Sequence, residues 1–201
     1  MDIQKTINNL EKLGYKVTLF DTNEEAAAYL DQEINGTTVA FGGSVTLQEM
    51  GLFNMLSSHN DVIWHTMAEE QKEKHLIRRK AVTTSVYITS VNGLAETGEI
   101  INIDGIGNRV ASTLYGHDKV YFVVGQNKIA PDYDRALYRA RNIAAPKNAQ
   151  RLQTKTPCAA KGDRCYNCSS PERICRGLVV LWENLIAADT EVVLIKENLG
   201  Y

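Results

Sequence analysis

The chain has 201 residues, 44% hydrophobic and 23% charged, a balance that suits one globular domain with a sizeable core. Its 22 basic and 24 acidic residues leave a net charge of -2, so no broad basic field is available for nucleic acid. There is no run of about 18 apolar residues to span a membrane and no apolar leader after a basic start, so the expectation is a cytoplasmic protein.

The spacing of Ile3, Ile7, Leu10 and Leu13 predicts a first helix, stopped at Gly14. Lys16 to Phe20 reads as a strand. Thr22, with Glu25 three residues on, has capping-box spacing for a helix running to Ile34. Asn35-Gly36 marks a turn. Thr38 to Phe41 is a buried strand, followed at once by Gly42-Gly43-Ser44 and a helix over Val45 to Leu56. Asp61 to His65 reads as a strand, Met67 to Ala81 as a long charged helix, and Ser85 to Ser90 as a strand. Leu94 to Ile103 predicts a hairpin turning at Thr97-Gly98 and closed by Asp104-Gly105. Ile106 to Leu114 starts another helix. Lys119 to Val124 is apolar almost throughout, as a strand covered on both faces should be. Ala130 to Leu152 is mostly helical and contains Pro146. Leu178 to Ile186 and a last strand, Glu191 to Glu197, complete the chain.

Strands alternating with helices imply an open, largely parallel α/β sheet with helices on both faces, in one domain over residues 1–201. Residues 157–176 form a cysteine-rich excursion from it. In such folds ligands collect at the carboxyl ends of the strands, and three segments fall there. Gly42-Gly43-Ser44 brings backbone N–H groups to a helix start, which favours an anion; the plainer reading is a tight turn with Ser44 as helix cap. Asp104-Gly105-Ile106-Gly107-Asn108-Arg109 gathers polar groups among glycines; alternatively Asp104 is a cap and Arg109 faces water. Gly125-Gln126-Asn127-Lys128 follows the most apolar strand, and Asn127 and Lys128 could meet an anion or simply form a polar turn. G-x-G-x-x-G and P-loop motifs are absent. Of the four histidines, only His65, ending a strand, lies at a candidate ligand edge. Trp64 and Trp182 read as core. Ser44, Ser90 and Ser112 have no neighbouring base that would make a nucleophilic triad.

The only cysteines, Cys158, Cys165, Cys168 and Cys175, have the spacing C-x6-C-x2-C-x6-C. In a reducing compartment this favours a metal over disulfides, and four thiolates suit tetrahedral zinc or, alternatively, an iron–sulfur cluster. Labile disulfides and free thiols are the competing states.

FGGSVTLQEMGL, SVNGLAETGEIINIDGIGNRVAS, KVYFVVGQNKI, RARNIAAPKNAQRL and TPCAAKGDRCYNCSSPERICR, in this order, resemble the lactate-utilisation (LUD) domain family, in the branch with a four-cysteine segment. The resemblance runs from about Asp2 to about Gly200. It implies a fold similar to the sugar-isomerase and coenzyme-A-transferase superfamily, with Gly42-Gly43-Ser44 as the phosphate- or acyl-binding loop and Asp104-Gly105 as the acid–base segment. Ile-Gly-Asn-Arg follows that Asp-Gly where isomerases place further acids, which departs from their pattern. Some family members act in lactate-oxidising systems with iron–sulfur subunits; the C-x2-C-x2-C-x3-C array of an electron carrier is absent here. The expected function is therefore small-anion binding in organic-acid utilisation, as an accessory subunit. The alternatives are an isomerase- or transferase-like enzyme using Asp104 or Glu96, with Arg109 and Lys128 as anion clamps, and a metal-stabilised docking subunit for a redox partner. Membrane and nucleic-acid partners are not expected.

Overall fold

A computed structural model describes residues 1–201. Six strands form a fully parallel sheet: β1 (Lys16–Phe20), β2 (Thr38–Phe41), β3 (Asp61–Ile63), β4 (Val86–Thr89), β7 (Lys119–Gly125) and β10 (Asp189–Ile195), in the order β1-β10-β7-β4-β2-β3. β7 lies inside the sheet, and its side chains alternate between two cores. Tyr121 and Val123 face one side, with Ala26, Ala27 and Leu30 of helix α2 (Asn23–Glu33). Leu47 of α3 (Val45–Glu49) and Leu52 and Leu56 of α4 (Leu52–Leu56) share that side. Val120, Phe122 and Val124 face the other, with Leu10 of α1 (Ile3–Lys12) and Ala81 of α5 (Gln71–Ala81). Period-2 alternation in a strand apolar throughout produces this double burial.

A second sheet accompanies the expected one. β5 (Gly93–Ala95), β6 (Ile100–Asp104), β8 (Ile129–Ala130) and β9 (Gly177–Leu181) pair in the order β8-β5-β6-β9. The predicted hairpin is its centre, with Gly93 opposite Ile101. Leu94, Ile100 and Leu181 pack toward the large sheet. Ala95, Ile101 and Ala130 pack outward against Ala136 of α7 (Tyr133–Arg139).

Several boundaries differ from the sequence pattern. The helix expected over Val45 to Leu56 breaks at Gly51, whose φ of 65° is left-handed. A 3-10 turn at His65–Met67 precedes α5, so that helix starts later than Met67. The long helical region holds α7, a π-helical stretch Ala140–Ala144 and α8 (Ala145–Arg151). Pro146 in the first turn of α8 has no N–H to continue the regular ladder, and the widened turn falls just before it. α6 (Asn108–Leu114) and a short α9 (Pro157–Lys161) complete the helices. No helix is long and apolar enough to cross a membrane.

Candidate functional site

β7, β4, β2 and β3 are consecutive neighbours in the large sheet. The residues just beyond their carboxyl ends therefore stand side by side: Lys128, Ser90, Gly43 with Ser44, and His65. They border one cavity of about 370 Å³. The loop after β6 supplies Asp104, Asn108 and Arg109, α5 supplies Arg78, and α8 supplies Asn148 and Arg151. Gly43, Ser44, Asp104, Asn108, Arg109 and Lys128, which belong to three separate sequence segments, thus meet at one place.

Their environments assign different roles. Gly42 is structural. Its N–H donates to Ile88 O, its carbonyl accepts from Trp64 Nε1, and a Cβ there would lie 2.5 Å from Thr89 Oγ1. Gly43 is different, because a Cβ would meet only the His65 ring, Nε2 at 3.5 Å and Cε1 at 3.6 Å. The fold leaves room for a side chain that the cavity does not contain. The Gly43 and Ser44 N–H groups have no partner in the protein. Ser44 Oγ accepts from Leu47 N, so it caps α3, a helix of only five residues with little dipole to offer.

Asp104 and Arg109 fall between the two readings of their segment. Asp104 Oδ1 accepts from the Ile106 and Gly107 N–H groups, and Oδ2 lies 3.6 Å from Arg109 Nε. Asp104 thus holds the loop through Oδ1, while Oδ2 accepts no hydrogen bond in the protein. Arg109 does not face water. Its Nη1 donates to Ser90 O and Asn102 Oδ1, and its Nη2 to Asn92 Oδ1 and Ile103 O. A guanidinium has five N–H donors; four are hydrogen-bonded here, and the fifth, on Nε, faces Asp104 Oδ2 only at ion-pair distance. Arg109 thus organises the cavity wall that it borders.

Lys128 is 3% exposed and donates to Thr46 Oγ1 and Ser90 Oγ, each at 2.7 Å. Burial first, then the charges of Arg139 and Arg109, lower its pKa to about 7, against the pull of Glu49. Burial, with Arg78 and Lys74 nearby, likewise lowers His65 to about 4, so its imidazole is neutral. Arg78 borders the cavity with no hydrogen-bond or ion-pair partner, and its Nε is buried and unsatisfied. Asn108 also borders the cavity.

Two expected site residues lie elsewhere. Glu96 accepts from Asp2 N at 2.8 Å and pairs with Lys5 Nζ at 3.2 Å, so it fastens α1 to the small sheet. Burial raises its pKa, but these partners outweigh that and leave it below the ordinary value. Asn127 holds the segment after β10, accepting from Leu199 N and donating to Gly200 O. Neither borders the cavity.

The four cysteines are thiols, all half-buried. No three Cys, His, Asp or Glu side chains converge in a geometry that would hold a metal. Cys158 Sγ contacts Thr156 Oγ1, Cys165 Sγ accepts from Asn167 N, and Cys175 Sγ accepts from Arg173 Nη2. The expected four-thiolate centre is not assembled in this arrangement. The segment instead forms a wall of the cavity: Ile174 borders it, and Arg176 N–H donates to Asp104 O.

Sequence reasoning missed Arg78, Thr46, Asn92 and Arg151. Ser90 and Asn92 directly follow β4, so strand-end position was a usable signal. Arg78 belongs to the basic run Arg78-Arg79-Lys80, which reads as a solvated helix face or a local anion contact, and nothing local marks which of the three turns inward.

No curated protein matches the chain in sequence. A DUF162 family protein from Deinococcus radiodurans superposes over 96% of this chain and 95% of its own, with a TM-score of 0.54 at 13% identity, and shows the same fold. Ribose 5 phosphate isomerase A from Neisseria gonorrhoeae matches 54% of this chain and 53% of its own (TM-score 0.35, 12% identity). eIF2B delta from Chaetomium thermophilum matches 67% and 55% (TM-score 0.40, 17% identity). The profile of the LUD domain matches residues 3–195, almost the whole chain, so the protein belongs to the LUD domain family, which is tied to lactate utilisation.

Proposed function

We propose that the protein binds a small anionic metabolite of organic-acid utilisation in the cavity at the ends of β7, β4, β2 and β3. The observation that carries this is Arg78, a guanidinium at the cavity with no hydrogen-bond acceptor or contact ion pair in the protein. A buried unsatisfied donor is unfavourable unless something fills its place, and a carboxylate or phosphate matches its geometry. Four basic side chains, Arg78, Arg109, Lys128 and Arg151, border the cavity against one carboxylate, Asp104, whose Oδ1 holds the loop. The Gly43 and Ser44 N–H groups add donors. An accessory subunit beside a redox partner fits this reading. Titration calorimetry with L-lactate and with inorganic phosphate tests it. Binding of either should weaken at least about tenfold in Arg78→Ala, roughly 1.4 kcal/mol. Flat titrations with both would remove the proposal.

A zinc ion on Cys158, Cys165, Cys168 and Cys175, with an iron–sulfur cluster as the alternative, is a second reading. Its support is Arg173, whose Nη1 donates to Cys168 O and whose Nη2 donates to Cys175 O and Cys175 Sγ, gathering two of the cysteines about one cation. Such an arginine would offset the negative charge of four thiolates. Metal analysis of anaerobically purified protein decides it: one zinc per chain supports the reading, and metal-free protein with four alkylatable thiols ends it.

A further inference from the structure

Among the cavity's charged groups Lys128 alone is almost wholly buried, and its hydrogen bonds fix what its nitrogen can do. Ser90 Oγ donates its proton to Val123 O at 2.6 Å, and Thr46 Oγ1 donates its proton to Leu199 O at 3.3 Å. A hydroxyl has one proton to give, so both can only accept from Lys128. Two N–H bonds of Nζ are thereby committed. The third tetrahedral position is all that Lys128 can present to the cavity it borders. Burial among arginines makes that position a lone pair in about half of the molecules near pH 7, against fewer than about one in a thousand for an ordinary lysine. The same bonds exclude Ser90 as nucleophile, because its proton points to a carbonyl and away from the only nearby base.

The distant end of the cavity complements this amine. Four neighbouring strand ends at about 4.8 Å spacing span about 14 Å from β7 to β3. Lys128 stands at the β7 end, while His65 and Arg78 stand at the β3 side, where α5 follows β3 through the 3-10 turn. A ligand lying along this line can place an anionic group by Arg78 and a different functional group at the amine.

We infer that Lys128 Nζ condenses with the carbonyl carbon of a small anionic carbonyl compound, an oxo acid or a sugar phosphate, to form an imine. The inference rests on the anion-binding reading of the cavity. In the first step the nitrogen lone pair forms the C–N bond and the carbonyl π pair moves to oxygen. A proton then passes from nitrogen to that oxygen, giving a carbinolamine. In the second step the remaining N–H proton passes to the hydroxyl oxygen, the C–O bond breaks, water leaves, and the nitrogen lone pair closes the C=N bond, so that nitrogen gives up its hydrogen bonds to Ser90 and Thr46. No electron is gained or lost. The imine makes the adjacent carbon acidic, which is the usual reason for a protein to place a neutral lysine beside a carbonyl.

The test is reductive trapping on the full-length protein at pH 7. Cyanoborohydride supplies a hydride that converts the imine into a stable secondary amine. Pyruvate and D-glyceraldehyde 3-phosphate are the two probes, and they separate an oxo-acid site from a sugar-phosphate site. Intact mass followed by peptide mapping should show one adduct per chain, on Lys128, with one probe preferred. Lys128→Arg should lose that adduct while its circular dichroism spectrum stays unchanged. Adducts scattered over exposed lysines, or no adduct at all, overturn the inference. Calorimetry on the same samples keeps the two readings apart. Binding without trapping removes the imine alone, whereas no binding by either probe, lactate or phosphate removes the anion site with it.

Discussion

Lys128 and Arg109 are both buried cations at one cavity, and their hydrogen bonds give them opposite characters. Lys128 carries a charge that its surroundings disfavour, which makes stability depend on pH. Its folded pKa of about 7 lies below the ordinary 10.5, so below pH 7 both folded and unfolded chains hold the proton and the penalty is complete. Between about 7 and 10.5 the unfolded chain binds the extra proton, and stability climbs as pH rises. Lys128→Met removes this dependence: the variant should be more stable than the wild type at pH 6, with the gap closing by pH 9 in urea unfolding. An unchanged gap would mean the amine is charged in the fold. Arg109 has the reverse character, since four of its five donors have found acceptors and the fifth faces a carboxylate. Arg109→Lys keeps the charge but cannot reach Ser90 O, Asn102, Asn92 and Ile103 O together. A loss of about 3 kcal/mol is expected in urea unfolding. A loss of ligand affinity at unchanged stability would instead make it a clamp. The sequence showed that both residues follow strands and carry charge. It could not show that one cation is bound by four acceptors and the other held with a position to spare, because their partners come from β4, α3 and β6.

The loops between elements divide into those the fold needs and those the cavity needs. Gly43 has space for a methyl group, so Gly43→Ala should unfold at the wild-type urea midpoint yet bind lactate or phosphate at least about tenfold more weakly. A lower midpoint would place the glycine among those the fold requires. Gly105 is such a glycine, because its Cβ would lie 2.7 Å from Ile174 O, backbone against backbone. Gly105→Ala must displace the cysteine segment, costing about 1–3 kcal/mol and speeding thiol modification of Cys175 by Ellman's reagent. Unaltered thiol rates would show that the segment is not held by this contact. Helix starts and the buried strands were legible because they rest on local chemistry: Thr22 and Glu25 form both halves of the expected capping box, and Lys119 to Val124 is doubly covered. The small sheet was only half legible. The hairpin has its own turn, but β9 pairs with β6 across more than seventy residues, and the outer residues of Gly177–Leu181 are exposed. Glu96 shows the same limit. An acid in a hairpin reads as solvated or catalytic, and only the tertiary fold brings α1 onto it.

Across the whole molecule the cavity lies where the ends of the large sheet, the loop after β6 and α8 come together, so it draws on both sheets. Family membership and sheet class could be read from motifs and alternation. Charge balance could not point to the cavity, since a net charge of -2 averages over a surface where acids and bases are mixed. The strand order also carries a consequence for how the chain acquires its shape. β10 is inserted between β1 and β7, pairing with Lys16–Phe20 on one side and Lys119–Gly125 on the other. While the ribosome has released β1 through β7 but not residues 189–195, β1 has no partner in the sheet and the apolar β7 presents an open edge. Such an edge invites pairing with another chain. Closure of the sheet therefore waits until residues 189–195 have emerged, and folding must run through a state in which two strands still lack their common neighbour.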